Sequence, residues 1–420
     1  MALCIIWKMA WWIFCCEMKN VRKSVVKFHA FFVLFALSSD IIKRLEFTRN
    51  LQRSGVMFKK FQGVNLVPEY DHAKAKLYRL EADKLINHYY IVTSASTRHL
   101  LNSPEVVGFE NYDRMCNPTK TALDYLNKKG LITDANILTI LRGGLNYPLE
   151  ECCYRAGIPV NDMSFLSCER VFEGEIISGL DIKYKKLSII DGGSLIIGDI
   201  IATGDTLVKC LKYIVKEYRD VGARLRNIIF FTIGGNMGVT VLENLTEELR
   251  EYWPDFEGFY CVYHEGIFST YKEKGVTGIN LPFVDFYWKD GILAPEYREQ
   301  TLNDDDALFE KCTIYDGGAR RYEIPEHYHE VMEYWEGLDA IADKVDFAAF
   351  TDEKFGYKTP LSYEDWLEEN HYHKIDKEVT ERLYAQELAY LEQNKKRTLK
   401  EITTRRIAEF KAAVSKYVGL

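Results

Sequence analysis

Along the middle of the chain, apolar runs of strand length alternate with stretches whose apolar residues recur at helical spacing. Ile137–Leu141, Met163–Leu166, Leu195–Ile197, Ile228–Ile233 and Phe259–Val262 read as buried strands, and Tyr147–Arg155, Thr206–Tyr218 and Val241–Glu251 as amphipathic helices between them. Such alternation predicts βαβ units, and therefore an α/β fold: a mostly parallel, Rossmann-like sheet flanked by helices. Upstream, Leu77, Leu80, Leu85 and Ile86 fall at spacings that predict a helix, with a second near Lys120–Lys129. Downstream, Val379, Leu383, Leu388, Leu391, Leu399, Ile402, Ile407, Phe410 and Val414 keep a mostly helical period with neither Gly nor Pro among them, which predicts a carboxyl-terminal helical module.

Composition sharpens the boundaries. With 47% hydrophobic and 28% charged residues the chain is globular, and a disordered or collagenous sequence is excluded. The first 56 residues carry a net charge of +6 and the rest -14, within an overall -8. That balance speaks against a protein that tracks nucleic-acid backbones, although small anions can bind locally. Residues 1–56 therefore read as an amino-terminal extension outside the fold, 57–300 as the α/β domain and 301–420 as the helical module. Residues 2–16 are interrupted by Lys8, and Phe28–Leu37 is short, so neither reaches the ~18–20 residues of a membrane span. A start at Met18 would give a basic stretch, an apolar run and Ala36-Leu37-Ser38, the outline of a secretory signal. The other reading, an over-extended amino terminus before a cytoplasmic protein, agrees better with the chemistry below. Ten cysteines without a CxxC pair predict reduced thiols rather than a disulfide framework or a zinc site.

Two segments carry candidate chemistry. Ser194–Thr206 reads as a strand ending in Gly198-Asp199, then a short loop, Ala202-Thr203-Gly204-Asp205-Thr206, that opens a helix. Helix amino termini leave backbone N–H groups without partners inside the helix, and with the Thr203 and Thr206 hydroxyls these make a cradle for a phosphate. Asp199 stands where it can accept hydrogen bonds from sugar hydroxyls. The second segment is Arg142-Gly143-Gly144 at the end of Ile137–Leu141, where two glycines expose amides beside a guanidinium, a grip for pyrophosphate oxygens. No Gly-Lys-Thr/Ser follows these glycines and no Gly-x-Ser-x-Gly elbow occurs, so a Walker-type site and a serine hydrolase have no support. The pairs His327/His329 and His371/His373 diverge on a helix and read as solvated or capping residues.

Together these segments resemble the type I phosphoribosyltransferases, whose signature is a hydrophobic strand, two acidic residues and a Thr-Gly-x-Thr/Ser loop. Asp199–Thr206 matches it, and Gly198 departs from it where the family has its first acid. The Leu141-Arg142-Gly143-Gly144-Leu145 turn is similar to the pyrophosphate loop of uracil phosphoribosyltransferases. Ser167-Cys168-Glu169-Arg170 and Tyr184-Lys185-Lys186-Leu187 resemble those enzymes' flexible segment, so the resemblance spans roughly residues 136–235.

The resemblance implies a phosphoribosyltransferase-like fold and transfer of 5-phosphoribosyl from phosphoribosyl pyrophosphate to a nucleobase or base-like acceptor. It also implies Mg2+ and a homodimer. Asp199 and Arg142 would be catalytic, with Asp199 also sharing in the magnesium shell. Ala202, Thr203, Gly204, Asp205 and Thr206 would hold the 5-phosphate, and Arg142, Gly143, Gly144, Arg170 and Lys186 the pyrophosphate. The uracil enzymes' base-binding segment is not matched. Asp285, Tyr287 and Trp288 are the base-binding candidates, and the same aromatics would serve equally as core packing. Gly198 leaves one carboxylate where two are usual, which keeps a second reading open: a non-catalytic sensor of phosphoribosyl pyrophosphate or a nucleotide.

Overall fold

The computed structural model describes residues 61–418 apart from 62, 142, 174–175, 203, 271–274, 280–285, 305 and 311–322. Three strands come first: β1 (Asn65–His72), β2 (Ala75–Glu81) and β3 (His88–Thr93). Then α1 (Ala95–Asn102) and α2 (Phe109–Lys128) lead to β4 (Ala135–Leu141), a tight helical turn at Gly143–Asn146, and α3 (Leu149–Arg155). A long hairpin follows, β5 (Val160–Glu173) and β6 (Ile176–Lys186). β7 (Gly193–Gly198), α4 (Asp205–Asp220), β8 (Leu225–Gly235), α5 (Asn236–Tyr252) and β9 (Gly258–Ser269) complete the alternation. After β10 (Tyr287–Leu293) come α6 (Pro295–Asn303), α7 (Ile324–Ile341), α8 (Phe347–Phe355), α9 (Tyr363–Asn370), α10 (Lys377–Asn394) and α11 (Leu399–Val418).

The strands form one sheet in the order β1-β2-β3-β9-β8-β7-β4-β5-β6, with β10 also on β9. Its centre, from β3 to β5, is parallel; β1, β2, β6 and β10 join it antiparallel. Parallel strands covered on both faces have no polar side to show. β7 is buried at every position, as are β8 apart from Arg226 and all of β9. The fold is thus the expected α/β arrangement with helices at its carboxyl end.

The structure corrects the reading of the amino-terminal part. Leu77 and Leu80 lie on β2, and Leu85 and Ile86 lie in the connection to β3, so the expected helix is a three-stranded antiparallel unit. The stretch is rich in Tyr78, Tyr89, Tyr90, Ile91 and Val92, side chains that favour a pleated surface and here are buried. An i, i+3 leucine pair cannot distinguish a helix from a strand buried on both faces. Of the histidines, His371 caps α9 at φ 62° and bonds the Val64 carbonyl, and His329 and His373 are exposed, as expected; only His327 differs, buried with its Nε2 2.8 Å from the Pro104 carbonyl.

By their contacts Met57–Leu420 form one compact unit. The late helices join the sheet through a buried ionic cluster. Arg298 of α6 donates to Glu387 of α10 at 2.8 Å and to Asn370, with both charged side chains only 2% exposed. Tyr357 and Trp366 donate to the same carboxylate at 2.9 and 2.8 Å, and the guanidinium lies 4.6 Å from the Trp288 ring centre. A second apolar cluster around Phe309, Trp335, Phe350 and Phe410 binds α7, α8 and α11. Removing one member of a buried pair strands the other, so Glu387→Leu should cost ~3–5 kcal/mol in urea unfolding. A loss below ~1 kcal/mol would show that the cluster does not hold the helices to the sheet.

Candidate functional site

From β4 the chain moves outward to β5, and from β7 it moves in the opposite direction to β8 and then β9. The neighbours β4 and β7 therefore flank the switch point of the sheet, paired from Asn136 with Leu195 to Leu138 with Ile197. Diverging connections leave a crevice at the carboxyl ends of such strands, where ligands collect in open α/β sheets. Both sequence segments singled out for chemistry leave the sheet there.

The two turns are in contact. A β-carbon placed on Gly143 would lie 2.0 Å from Asp199 Oδ1, so the carboxylate rests directly against the turn's backbone. A β-carbon on Gly144 would meet Thr139 Cγ2 at 2.9 Å and the Gly198 carbonyl at 3.4 Å. Asp199 is half-buried, and its Oδ1 accepts from the Ile200 N–H at 2.8 Å. Beyond it the chain stays on β8: Ile201 bridges Gly234, and the Gly235 N–H donates to the Ile201 carbonyl at 2.8 Å. Ile201 is 1% exposed and anchors the loop. Ala202 is half-buried, and Gly204 turns the chain into α4 at φ +82°, packed on Val241 and Ile201. The first turn of α4, with the half-buried Thr206, opens on the same edge of the sheet, and its leading N–H groups have no acceptor within the helix.

The remaining expected residues are placed as follows. Arg142, Thr203 and Asp285 lie outside the described residues, as do the side chains of Arg170 and Asp205. Arg170 pairs with Leu180 beyond the last β4–β5 pair, Leu141 with Ser167, so the hairpin extends past the carboxyl edge. Lys186 does not join the site: its ammonium donates to Asp162 at 3.0 Å and to the Met163 carbonyl at 3.1 Å, near the start of β5. Tyr287 is buried opposite Ser269, and Trp288 packs on Arg298, Tyr297 and Phe355. Both also line a small cleft with Phe268, Phe286, Glu310 and Lys354.

Two features of the interior were not legible in the sequence. A β-carbon on Gly198 would lie 2.7 Å from three atoms of Tyr147, so this residue fills the space that a side chain at position 198 would need. Its hydroxyl accepts from the Ile233 N–H at 2.7 Å, and burial, with Asp199 adding, pushes its ionisation well up. Tyr147 stacks on His264, centroids 5.8 Å apart. Burial pushes His264 down to about 3, so it is neutral, and neither ring nitrogen has a hydrogen-bond partner. A glycine where an acid is expected signals a bulky neighbour, but not which one.

The second is Glu265, in the left-handed region at φ 65°. β9 pairs with β3 up to His264 and with β10 from Gly266, so Glu265 sits where one neighbour gives way to the other. Its carboxylate accepts from the Ser94 N–H at 2.8 Å, the Thr93 hydroxyl at 2.6 Å and the Thr97 hydroxyl, at the start of α1. Burial raises it to about 7, opposed by the Arg98 charge and these donors.

No family model matches this chain, and no curated protein matches it. Partial likenesses to solved structures occur. The AQ2163 protein from Aquifex aeolicus is 17% identical over 41% of this chain and 85% of that one, with a TM-score of 0.29. A hypoxanthine phosphoribosyltransferase from Staphylococcus aureus is 17% identical over 31% of this chain and 67% of that one, TM-score 0.23. A purine phosphoribosyltransferase from Pyrococcus horikoshii is 19% identical over 31% and 77%, TM-score 0.23. Superpositions this partial fix neither an activity nor a substrate. No helix among the described residues is long and apolar enough to cross a membrane.

Two outcomes follow from this geometry. Gly198→Ala pushes a methyl group into the Tyr147 ring and should destabilise the chain by ~1–3 kcal/mol in urea; a cost under ~0.5 kcal/mol would mean that the ring does not hold that place. Glu265 keeps its proton to about 7 when folded and only to the ordinary carboxylate range when unfolded, so the folded state binds more protons between them. The stability that Glu265 contributes should fall as pH rises from ~5 to ~7, so the stability difference between the wild type and Glu265→Gln should change across that window; a difference that does not vary with pH would contradict the assignment.

Proposed function

We propose that the chain binds phosphoribosyl pyrophosphate at the β4–β7 switch point and transfers its 5-phosphoribosyl group to a nitrogen of a nucleobase or base-like acceptor, releasing pyrophosphate. The observation that carries this reading is the contact between the Asp199 carboxylate and the Gly143 turn. It supports a site in which a glycine turn, a carboxylate and a helix amino terminus face one crevice, the donors that a doubly phosphorylated sugar requires.

In this reading the amides of Gly204, Asp205 and Thr206, with the Thr203 and Thr206 hydroxyls, hold the 5-phosphate. Asp199 orients the ribose through its hydroxyls. Gly143, Gly144 and Arg142 hold the pyrophosphate, and Arg170 reaches it from the hairpin. Carbon 1 of the ribose gains positive character as pyrophosphate leaves, so the chain contributes by fixing two reactants and stabilising departing negative charge rather than by supplying a nucleophile. Mg2+ is compatible with these residues, since an ion held largely by substrate phosphates needs only one or two protein carboxylates, and Asp199 supplies one. Bound there, the ion would neutralise charge on the pyrophosphate. The acceptor would belong beside Tyr287 and Trp288, with Asp285 as a hydrogen-bond acceptor.

Tyr147 favours a second reading. Because its ring takes the space of the first acid at Gly198, the site has one carboxylate for the ribose, which suits a protein that binds the ligand as a sensor without turnover. Calorimetry with phosphoribosyl pyrophosphate and Mg2+, beside pyrophosphate-release assays over a panel of bases, separates the two. The transferase reading expects release with at least one base and a loss of at least ~100-fold in Asp199→Asn with the fold intact. Binding without release for every base supports the sensor, and full activity in Asp199→Asn overturns the role given to that residue.

A further inference from the structure

Cys168 and Cys210 come from separate elements and meet with their sulfur atoms 3.5 Å apart. Cys168 lies on β5, where the register against β6 shifts between Ser167 and Cys168. Cys210 lies on α4, the helix that opens from the Gly204 turn, and is fully buried. The hairpin is already fastened to this helix beside them: Lys185 of β6 donates to Glu217 at 2.9 Å and covers the Tyr213 ring at 5.3 Å.

The two thiols differ in access. Among the described cysteines, Cys168 is partly exposed, while Cys116, Cys152, Cys153, Cys210 and Cys261 are buried. Burial, together with Cys168 and the Asp199 charge, raises the ionisation of Cys210 and keeps it a thiol. An oxidant from solvent therefore meets Cys168 first, and Cys210 is the group within reach of the product.

We propose that Cys168 and Cys210 form a peroxide-responsive thiol pair that closes to an intramolecular disulfide between the β5–β6 hairpin and α4. In the first step the Cys168 sulfur attacks a peroxide oxygen: the S–O bond forms, the O–O bond breaks, and the leaving hydroxide takes the thiol proton as water. In the second, the Cys210 sulfur attacks the sulfenic sulfur: the S–S bond forms, the S–O bond breaks, and the hydroxyl departs with the Cys210 proton as a second water. Two thiols lose two electrons and one hydrogen peroxide is reduced to two waters. The sulfurs must close by ~1.5 Å to reach the ~2.05 Å of a disulfide. The link would tie the hairpin to the helix whose first turn borders the candidate site. It holds whatever ligand that site takes.

The test uses the full chain, reduced, desalted and exposed to one equivalent of hydrogen peroxide, then alkylated and mapped under non-reducing conditions by mass spectrometry. A Cys168–Cys210 peptide pair as the main oxidised product, reversed by dithiothreitol, is expected, with Cys116, Cys152, Cys153 and Cys261 left free for alkylation after unfolding. Cys210→Ala should stop at a sulfenic acid on Cys168 that dimedone traps. Cys168→Ser should slow oxidation of Cys210 by at least ~10-fold. The proposal fails if wild-type Cys168 proceeds to sulfinic acid without the linked peptide. It fails equally if Cys210 pairs elsewhere or oxidises as fast in Cys168→Ser.

Discussion

Asp199 and Gly143 leave no room between them. The carboxylate at the end of β7 lies against the backbone of the turn that follows β4, so any side chain at position 143 would displace it. The proposed function depends on this contact, because it brings together two turns that are far apart in sequence. The sheet sets up the meeting: β4 and β7 are neighbours with connections that diverge, and the crevice between their ends is where an open α/β sheet receives ligands. Gly204 and the first turn of α4 then continue from the same strand end.

The interior beneath the site is shaped by one exchange. Where Gly198 lacks a side chain, Tyr147 supplies a ring, and that ring rests on a buried, neutral His264. An acid at position 198 would need both space and solvation, and the present core gives it neither. A side chain at position 198 is thus excluded by the packing around Tyr147, and the position is not a local gap that one substitution could refill. Glu265, next along β9, accepts from the start of α1 at the place where β9 exchanges β3 for β10.

How much of this was legible in the sequence depended on whether the decisive contacts were local. β4, β7, β8 and β9 could be read because strands buried on both faces become unbroken apolar runs, and α4 because its loop carries the residues of a helix start. The amino-terminal strands could not, since Leu77 and Leu80 fit helical spacing as well as they fit a buried strand. Within the site, Asp199, Gly143 and Gly144 were legible from chemistry at strand ends. Tyr147 was not, because it reaches Gly198 only through the fold. Lys186 looked like a pyrophosphate ligand by its surroundings in sequence, but the antiparallel return of β6 carries it back toward Asp162 at the start of β5. Trp288 was readable as part of an aromatic wall, whereas its stacking on Arg298 depends on α6 and the helices beyond it.

The central claim is that both turns grip one ligand, and a crystal soaked with phosphoribosyl pyrophosphate and Mg2+ tests it most directly. The account predicts electron density with the 5-phosphate on the amides of Gly204–Thr206, the ribose against Asp199 and the pyrophosphate over Gly143 and Gly144. Density for the ligand in a different cavity, or a crevice that stays empty at saturating concentration, would contradict it.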